Sequence, residues 1–535
     1  MIGKKFALLL ACVVIAVSVC GCNNNSPSSE NGVSSAKSSS SAVSQETFTP
    51  SYPISKEKIT VKGALIGEYN ITEPRLSWET LEEVTNIHVD WEVIDKDAIA
   101  VFLASNNWPD FFEESLDNTY LADYGVTGGK FVNYQNYLQY MPNLQQAFAD
   151  YSDAIKVVKE TNGEIYQLPY IGNDCTAVTA RMYYREDTLK NAGCEVPATA
   201  DEFHDVLVKL KAYNNGAAPL AEDREQFLWA SFGTGKNPDF EDDGTGKVVF
   251  NRVSDQYKLY LQYMNRLYSE GLLHQEYLTL DASTKLSLAQ EGLTVFGHDG
   301  LAALSEDAFS SGKVELNQLA PLTSSYDDTR VVMGWRYCQP GGLSINSSSQ
   351  YIPELCRMFD IMYSNKEVVS GTDVYSMLFH YGLEGTTWKW ANSEHTQYEL
   401  ILPKELEEVK SFGTYMTDSW YYGGALGRFD LFANATTSTE GNNKARQQGF
   451  VKNLIPYQEK VAFPGNYLKF TEEEQAIIDD AYTTISSYVT EMKGKFITGV
   501  ASIDTEWDNY INQINQMGLD EVLAAYQAAY DRWNA

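Results

Sequence analysis

The chain has 535 residues, enough for one large globe or two domains, with 44% hydrophobic and 21% charged residues, as in a protein with a real core. Its 72 acidic residues outnumber 40 basic ones, giving a formal net charge of -32. With no basic cluster in the sequence, that charge excludes nucleic acid and other polyanions as partners of its surface.

The first predicted element is an export signal. Lys4 and Lys5 precede an uncharged apolar core from Phe6 to Val19, too short to span a bilayer comfortably (~20 residues). Val19-Cys20-Gly21-Cys22 resembles the lipobox of bacterial lipoproteins, where the cysteine after a small residue is lipidated. The resemblance implies a signal peptide over 1–21, lipidation of Cys22, and a lipid-anchored protein outside the cytoplasm. Residues 22–55 are rich in Ser and Asn, bury too little apolar surface to fold, and read as a disordered tether. No later apolar run is long enough to cross a membrane, so contact with the bilayer is expected through the lipid only.

The ordered part is expected to begin with a β-rich run, Ile59 to Ile66, ending at Gly67. The polar loop Glu68–Glu73 and Pro74 follow, then a helical segment around Trp78–Val84 and an alternating strand from Ile87 to Ile94. Strand, helix and strand in so few residues open a parallel α/β sheet. Ligands of such sheets lie beyond the carboxyl ends of the strands, which makes the loop with Glu68 a candidate binding edge.

A helical run, Ala98–Ala104, ends at Asn107-Trp108-Pro109-Asp110, followed by Phe111-Phe112. This helix, polar turn, Pro-Asp and strand resemble the extracellular solute-binding proteins of sugar-type ABC importers. Met141-Pro142-Asn143-Leu144 and Asn162-Gly163-Glu164-Ile165-Tyr166-Gln167-Leu168-Pro169-Tyr170 continue the resemblance. So do Met182-Tyr183-Tyr184-Arg185-Glu186-Asp187, Val196-Pro197 and Asp201-Glu202-Phe203. Tyr381-Gly382-Leu383-Glu384-Gly385-Thr386-Thr387-Trp388 is similar to the Glu-Gly turn of the large oligosaccharide-binding lipoproteins. Near the C-terminal side come Phe496-Ile497-Thr498-Gly499, Trp507-Asp508, Tyr510, Met517-Gly518-Leu519-Asp520 and Tyr526–Arg532.

The resemblance implies an α/β, two-lobed periplasmic-binding-protein-like fold with hinge strands between the lobes. Lobe 1 is expected over 56–170 plus 345–402, and lobe 2 over 171–344 plus 403–535. The crossings fall near Leu168–Asp174, Gly341–Asn346 and Leu402-Pro403. Gly341-Gly342 suits a hinge, where a few residues absorb the change in backbone angles.

Three apolar stripes near the C-terminal side read as lobe-building helices. They are Ile477, Ala481, Ile485, Tyr488, Val489 and Met492; then Trp507, Tyr510, Ile511 and Ile514; then Leu519, Val522, Leu523, Tyr526, Tyr530 and Trp533. Gly518 separates the last two. Beyond the signal and Cys22, the cysteines are Cys175, Cys194, Cys338 and Cys356. Their spacing matches no zinc pattern, and buried thiols are expected, although an exported site permits a Cys175–Cys194 bridge.

Catalytic motifs are missing. The histidines form no His-Glu-x-x-His, and neither a Gly-x-Ser-x-Gly turn nor a phosphate loop occurs; Gly244-Thr245-Gly246-Lys247 reads as a plain turn. Some relatives carry an acidic calcium loop early in lobe 2, but Tyr213–Leu220 lacks the acidic ligands. Asp239, Glu241, Asp242 and Asp243 are expected to form a solvated loop. No cofactor and no metal are expected.

What remains is recognition. Aromatic residues make up 13% of the chain, and a neutral sugar pairs its ring faces with Tyr or Trp and its hydroxyls with polar side chains. Together with Glu68, the resemblance nominates Asn107, Trp108 and Asp110 on lobe 1, and Tyr170 and Tyr183 by the first crossing. It nominates Trp229 and Asp299 on lobe 2, Trp335 and Arg336 before the return crossing, and Glu384 and Trp388 on the Glu-Gly turn. Trp78 and Trp507 are assigned to the core. The sequence thus describes a monomeric, lipid-anchored binding protein that captures an oligosaccharide between two lobes and delivers it to an ABC permease. A peptide or another solute, an exported carbohydrate-active enzyme and a wall-binding structural protein are the alternatives.

Overall fold

The computed structural model describes residues 51–535 except 73–74, 106, 173–179, 234–236, 238, 308–313, 333–337, 365–375, 396, 402–415, 417–418, 421–425, 429–435, 438–448 and 459–462. Strand β1 (Ile59–Ile66) is followed by helix α1 (Leu76–Thr85) and strand β2 (Ile87–Ile94). The two strands run parallel, in register from Ile59↔Ile87 to Ile66↔Ile94, as their strand-helix-strand order implies. Asn86, at φ 62°, stops α1 and turns the chain directly into β2. Helix α2 (Ile99–Ala104) leads to the two-residue strand β3 (Phe111–Phe112), parallel to β1. Side chains alternate across a strand, so Phe111 enters one core with Val61, Leu65 and Trp78, while Phe112 enters another with Ala64, Leu103 and Phe131.

Helices α3 (Pro142–Asp150) and α4 (Ser152–Lys156) precede β4 (Leu168–Ile171). Beyond residues 173–179 the order is β5 (Tyr183–Arg185), α5 (Glu186–Asn191), α6 (Ala200–Tyr213), α7 (Glu225–Leu228), β6 (Phe240–Asp242) and β7 (Val248–Phe250). Then come α8 (Asp255–Ser269), α9 (Ala282–Gln290), β8 (Phe296–Gly297), α10 (Asp299–Asp307) and β9 (Leu316–Gln318). Strand β5 is the centre of a second, antiparallel sheet of order β8-β5-β9.

The chain returns through β10 (Cys338–Gly342), antiparallel to β4, and β11 (Ser344–Ile345), which adds an antiparallel edge to the first sheet, order β11-β3-β1-β2. The two segments expected to cross are therefore bonded to each other, with Leu168 opposite Gly342. Gly342 has φ +96°, and a Cβ there would lie 2.1 Å from the Glu113 carbonyl oxygen, so only glycine fits. Helix α11 (Ile352–Asp360) follows, then a third sheet of β12 (Trp388–Trp390), β13 (Gln397–Leu400) and β14 (Thr436–Thr437). The crossing expected at Leu402-Pro403 lies outside the described residues.

Four helices close the chain: α12 (Glu472–Ile477), α13 (Thr483–Thr498), α14 (Ile503–Gln516) and α15 (Leu519–Asn534). A capping box between Thr471 and Glu474 starts α12, and a π turn over Ile478–Tyr482 joins it to α13. Ile485, Val489, Met492, Trp507, Tyr510, Ile514, Leu519, Val522, Tyr526 and Trp533 are buried, as the stripes require. Ile477, Ala481 and Tyr488 are only half-buried; the first two lie before and within the π turn, which offsets them from the rest of the stripe. Gly518, at φ +96°, makes the break between α14 and α15.

A buried charge network ties α7, the β6–β7 hairpin, α8 and α13 together. Arg252 donates to Glu225, to Asp239 at 2.8 Å and to the Tyr257 hydroxyl at 2.7 Å. Lys493 reaches Asp223 at 2.8 Å and Glu225 at 3.4 Å. The hairpin carboxylates are engaged within the chain: Asp242 accepts Gly244 and Gly246 N–H groups and the Tyr530 hydroxyl, and Glu241 accepts Asn251. Cys194 and Cys356 are buried thiols, and Cys175 lies outside the described residues. Among the described residues no helix is long and apolar enough to cross a membrane.

Candidate ligand-binding site

Two groups of polar and aromatic side chains form where strands end. The first lies past β1 and β3, which run parallel with Ala64 opposite Phe112. Glu68 is exposed just beyond β1. The Tyr69 hydroxyl hydrogen-bonds the Glu114 carboxylate, and Glu114 Oε2 accepts the Ile66 N–H at 2.8 Å. Burial pushes the Glu114 carboxyl up, and burial together with Glu114 pushes that of Glu113 well up. Glu113 is fully buried, with neither carboxylate oxygen hydrogen-bonded to another described residue. Two residues on, Ser115 Oγ donates to Gln167 Oε1 at 2.9 Å, linking this edge to the start of β4.

The second group follows β8. One oxygen of the buried Glu222 accepts the N–H of His298 at 2.6 Å and of Asp299 at 3.0 Å, where a carboxylate is stabilised at the start of α10. Lys285 pairs with Asp299 at 2.8 Å, and His298 Nδ1 lies 3.2 Å from Asp299 Oδ1. Burial and then the Arg224 charge lower the His298 pKa, so its ring is neutral near pH 7 and offers one donor and one acceptor. The Tyr183 ring, buried with Leu301, Leu304 and Leu316, lies behind it at a tilt, centroids 5.6 Å apart. Arg224 occupies the left-handed region at φ 40° and donates to the Arg181 carbonyl at 2.6 Å. A non-glycine residue held there is a strained conformation of the kind that clusters at binding sites.

Between the groups in sequence, Tyr170 lies in β4 opposite Gln339 of β10, its ring 5.9 Å from that of His380. Tyr134 donates its hydroxyl to the Leu343 carbonyl, fastening the return strand to the first sheet.

The remaining nominated residues are placed differently. Asn107 is exposed, its N–H donating to Ser105 Oγ. Trp108 is half-buried, its indole N–H on the Leu103 carbonyl at 2.9 Å and its ring packed against Phe112, Tyr124 and Phe131. Asp110 accepts the Lys62 N–H at 2.8 Å and Ser349 Oγ at 2.6 Å, joining β1 to the turn after β11. Trp229 is fully buried beside Tyr257 and Tyr260. Trp388 is fully buried in the third sheet with Met377 and Tyr398, and Glu384 bridges to it through the main chain. Trp335 and Arg336 lie outside the described residues, as does Cys22. Glu113, Glu114, Gln167, Glu222 and Arg224 were not legible as site candidates, although an acidic pair directly after an apolar strand marks Glu113-Glu114.

No family model matches the sequence. The fructooligosaccharide ABC transporter substrate-binding protein FusA of Streptococcus pneumoniae is 23% identical over 583 aligned positions, covering 99% of this chain and 98% of that protein. Lipoprotein LipO of Bacillus subtilis is 25% identical over 43% of this chain and 47% of its own length. The crystal structure of an extracellular solute-binding protein from Bifidobacterium longum subsp. infantis superposes with a TM-score of 0.68 at 20% identity, covering 89% of this chain and 99% of that one. The chain has the fold of the extracellular solute-binding proteins. That is the α/β architecture its motifs imply, and the likeness to FusA runs along nearly the whole sequence.

Proposed function

We propose that this solute-binding protein is the lipid-anchored receptor of an ABC importer and that it captures an oligosaccharide without altering it. The observation that carries the reading is the likeness to FusA over 99% of the chain, with aromatic and carboxylate residues at the strand ends of two separate sheets. Glu68, Tyr69 and Glu114 supply acceptors and a ring from one edge; neutral His298 and Asp299 supply polar groups from the other, backed by the buried Tyr183. Sugar hydroxyls exchange almost evenly between water and such groups, so the ring faces supply much of the net gain. In this proposal lobe 1 is 56–170 with 345–402, and lobe 2 is 171–344 with 403–535. In support, β11 rejoins the first sheet, and Asn265 of α8 donates to the Phe496 and Ile497 carbonyls of α13.

Ligand contacts from both lobes favour a closed form only by the difference in affinity between open and closed states. Cys22, lipidated, keeps the receptor near its permease and raises its effective concentration there. The test is a thermal-shift screen of the full chain against fructooligosaccharides, other oligosaccharides and peptides. A rise in melting temperature with a glycan supports the reading; a rise with peptides alone overturns it.

A further inference from the structure

A cavity of about 450 Å³ lies between the end of α4 with the turn that follows it and the last helix, α15, at residues other than those at the strand ends. In a chain of net charge -32, its lining is cationic: Lys156, Lys159, Lys469 and Arg532 against two carboxylates, the side chain of Glu160 and the main-chain carboxylate of Ala535. Two of these cations are already engaged. Lys469 pairs with Glu160 at 2.8 Å, both buried, and Arg532 forks onto Glu474. Lys156 and Lys159 form no ion pair with another described residue. The Lys156 ammonium instead lies 5.8 Å from the centroid of the buried Trp533 ring, a cation–π contact that leaves its remaining donors to the cavity.

A flat apolar wall of Trp533 beside two uncompensated ammonium groups is a recognition set for one kind of molecule. The volume is that of an ordinary small-ligand pocket, roughly 300–1,000 Å³. An anion gains from Lys156 and Lys159, and a planar body gains from the indole. We propose that this cavity binds a small organic anion carrying a ring, such as an aromatic carboxylate, at a site separate from the sugar site. The turn that carries Lys159 and Glu160 runs directly into β4, the strand bonded to β10. An anion held there therefore sits on the segment that leads into the crossing strands.

The test uses the full chain and isothermal titration with benzoate, with benzyl alcohol as the neutral analogue and inorganic phosphate as the ringless anion. Benzoate is expected to bind saturably, and K156Q/K159Q to weaken it about tenfold, as two exposed ion pairs suggest. Lys159→Glu alone, at an exposed position, is expected to weaken it in the same direction. Benzoate binding is expected to persist when the protein is saturated with its oligosaccharide. The assignment is overturned if benzoate does not bind, if the lysine variants bind it unchanged, or if the sugar displaces it. Equal binding of benzyl alcohol, or binding of phosphate without benzoate, overturns it as well.

Discussion

Glu222 holds His298 through the main chain: one carboxylate oxygen accepts the N–H of His298 at 2.6 Å and of its neighbour Asp299 at 3.0 Å. The side chains of both residues are thereby aimed from the first turn of α10. Glu222→Ala leaves two N–H groups without their acceptor, a loss of about 1–3 kcal/mol of stability in denaturant unfolding. It is also expected to weaken oligosaccharide binding, whereas Glu222→Gln keeps one acceptor and loses less of both. Equal binding by Glu222→Ala and the unmodified chain would detach this edge from the ligand.

Gly342 marks the tightest point of the return strand. Gly342→Ala forces a side chain into φ +96° and onto the Glu113 carbonyl. The expected cost exceeds the roughly 1 kcal/mol of an ordinary left-handed alanine, because backbone lies in the way. Thermal unfolding should register a drop of several degrees, and a variant melting with the parent would show that this segment moves freely.

Asp360 caps α3, accepting the Leu144 N–H at 2.9 Å and Asn143 Nδ2 at 2.8 Å. Burial pushes its carboxyl up to about 7. The unfolded chain releases this proton near pH 4, so between about pH 4 and 7 folding takes up a proton and this group's contribution falls as pH rises. Denaturant unfolding at pH 5 and pH 8 should show a larger loss of stability for the parent than for Asp360→Asn. Parallel losses would mean that Asp360 is ionised in both states.

The opening of the first sheet is legible because β1 is a short β-rich run and β2 an alternating one, joined by a helix whose terminator, Asn86, is local. The C-terminal helices are legible for the same reason, their stripes being complete within each segment. The site is less so. Glu222 works through a residue 76 positions away, and nothing near it in sequence announces the contact. Trp388 reads as a loop residue beside Gly385, yet β13 pairs with its strand and Tyr398 joins its cluster. Trp108 has the right neighbours for a rim, but its N–H is taken by Leu103 one turn back. Side-chain type and local spacing nominate residues; non-local pairing decides which face they meet.

Arg252 and Glu225 are the charged centre of the network that ties α7, the β6–β7 hairpin, α8 and α13. Burial pushes the Glu225 carboxyl up, but Arg252 and Lys493 hold it below its ordinary value. Glu225→Gln leaves a buried guanidinium with one partner fewer and is expected to cost about 3–5 kcal/mol in urea unfolding. Replacing both Arg252 and Glu225 with apolar residues should recover much of that loss; a double variant as weak as the single one would locate the energy elsewhere.

Calorimetric titration of the full chain with fructooligosaccharides, followed by chromatography of the mixture, tests most directly whether strand ends of two sheets grip one unaltered sugar. Glu68 and Asp299 are exposed, one at each edge, so Glu68→Gln and Asp299→Asn are expected to fold normally. The prediction is one bound sugar per chain, recovered intact, with affinity reduced about tenfold or more in each variant as a lost charged hydrogen bond requires. Cleaved sugar, or a sugar bound equally well by both variants, would contradict it.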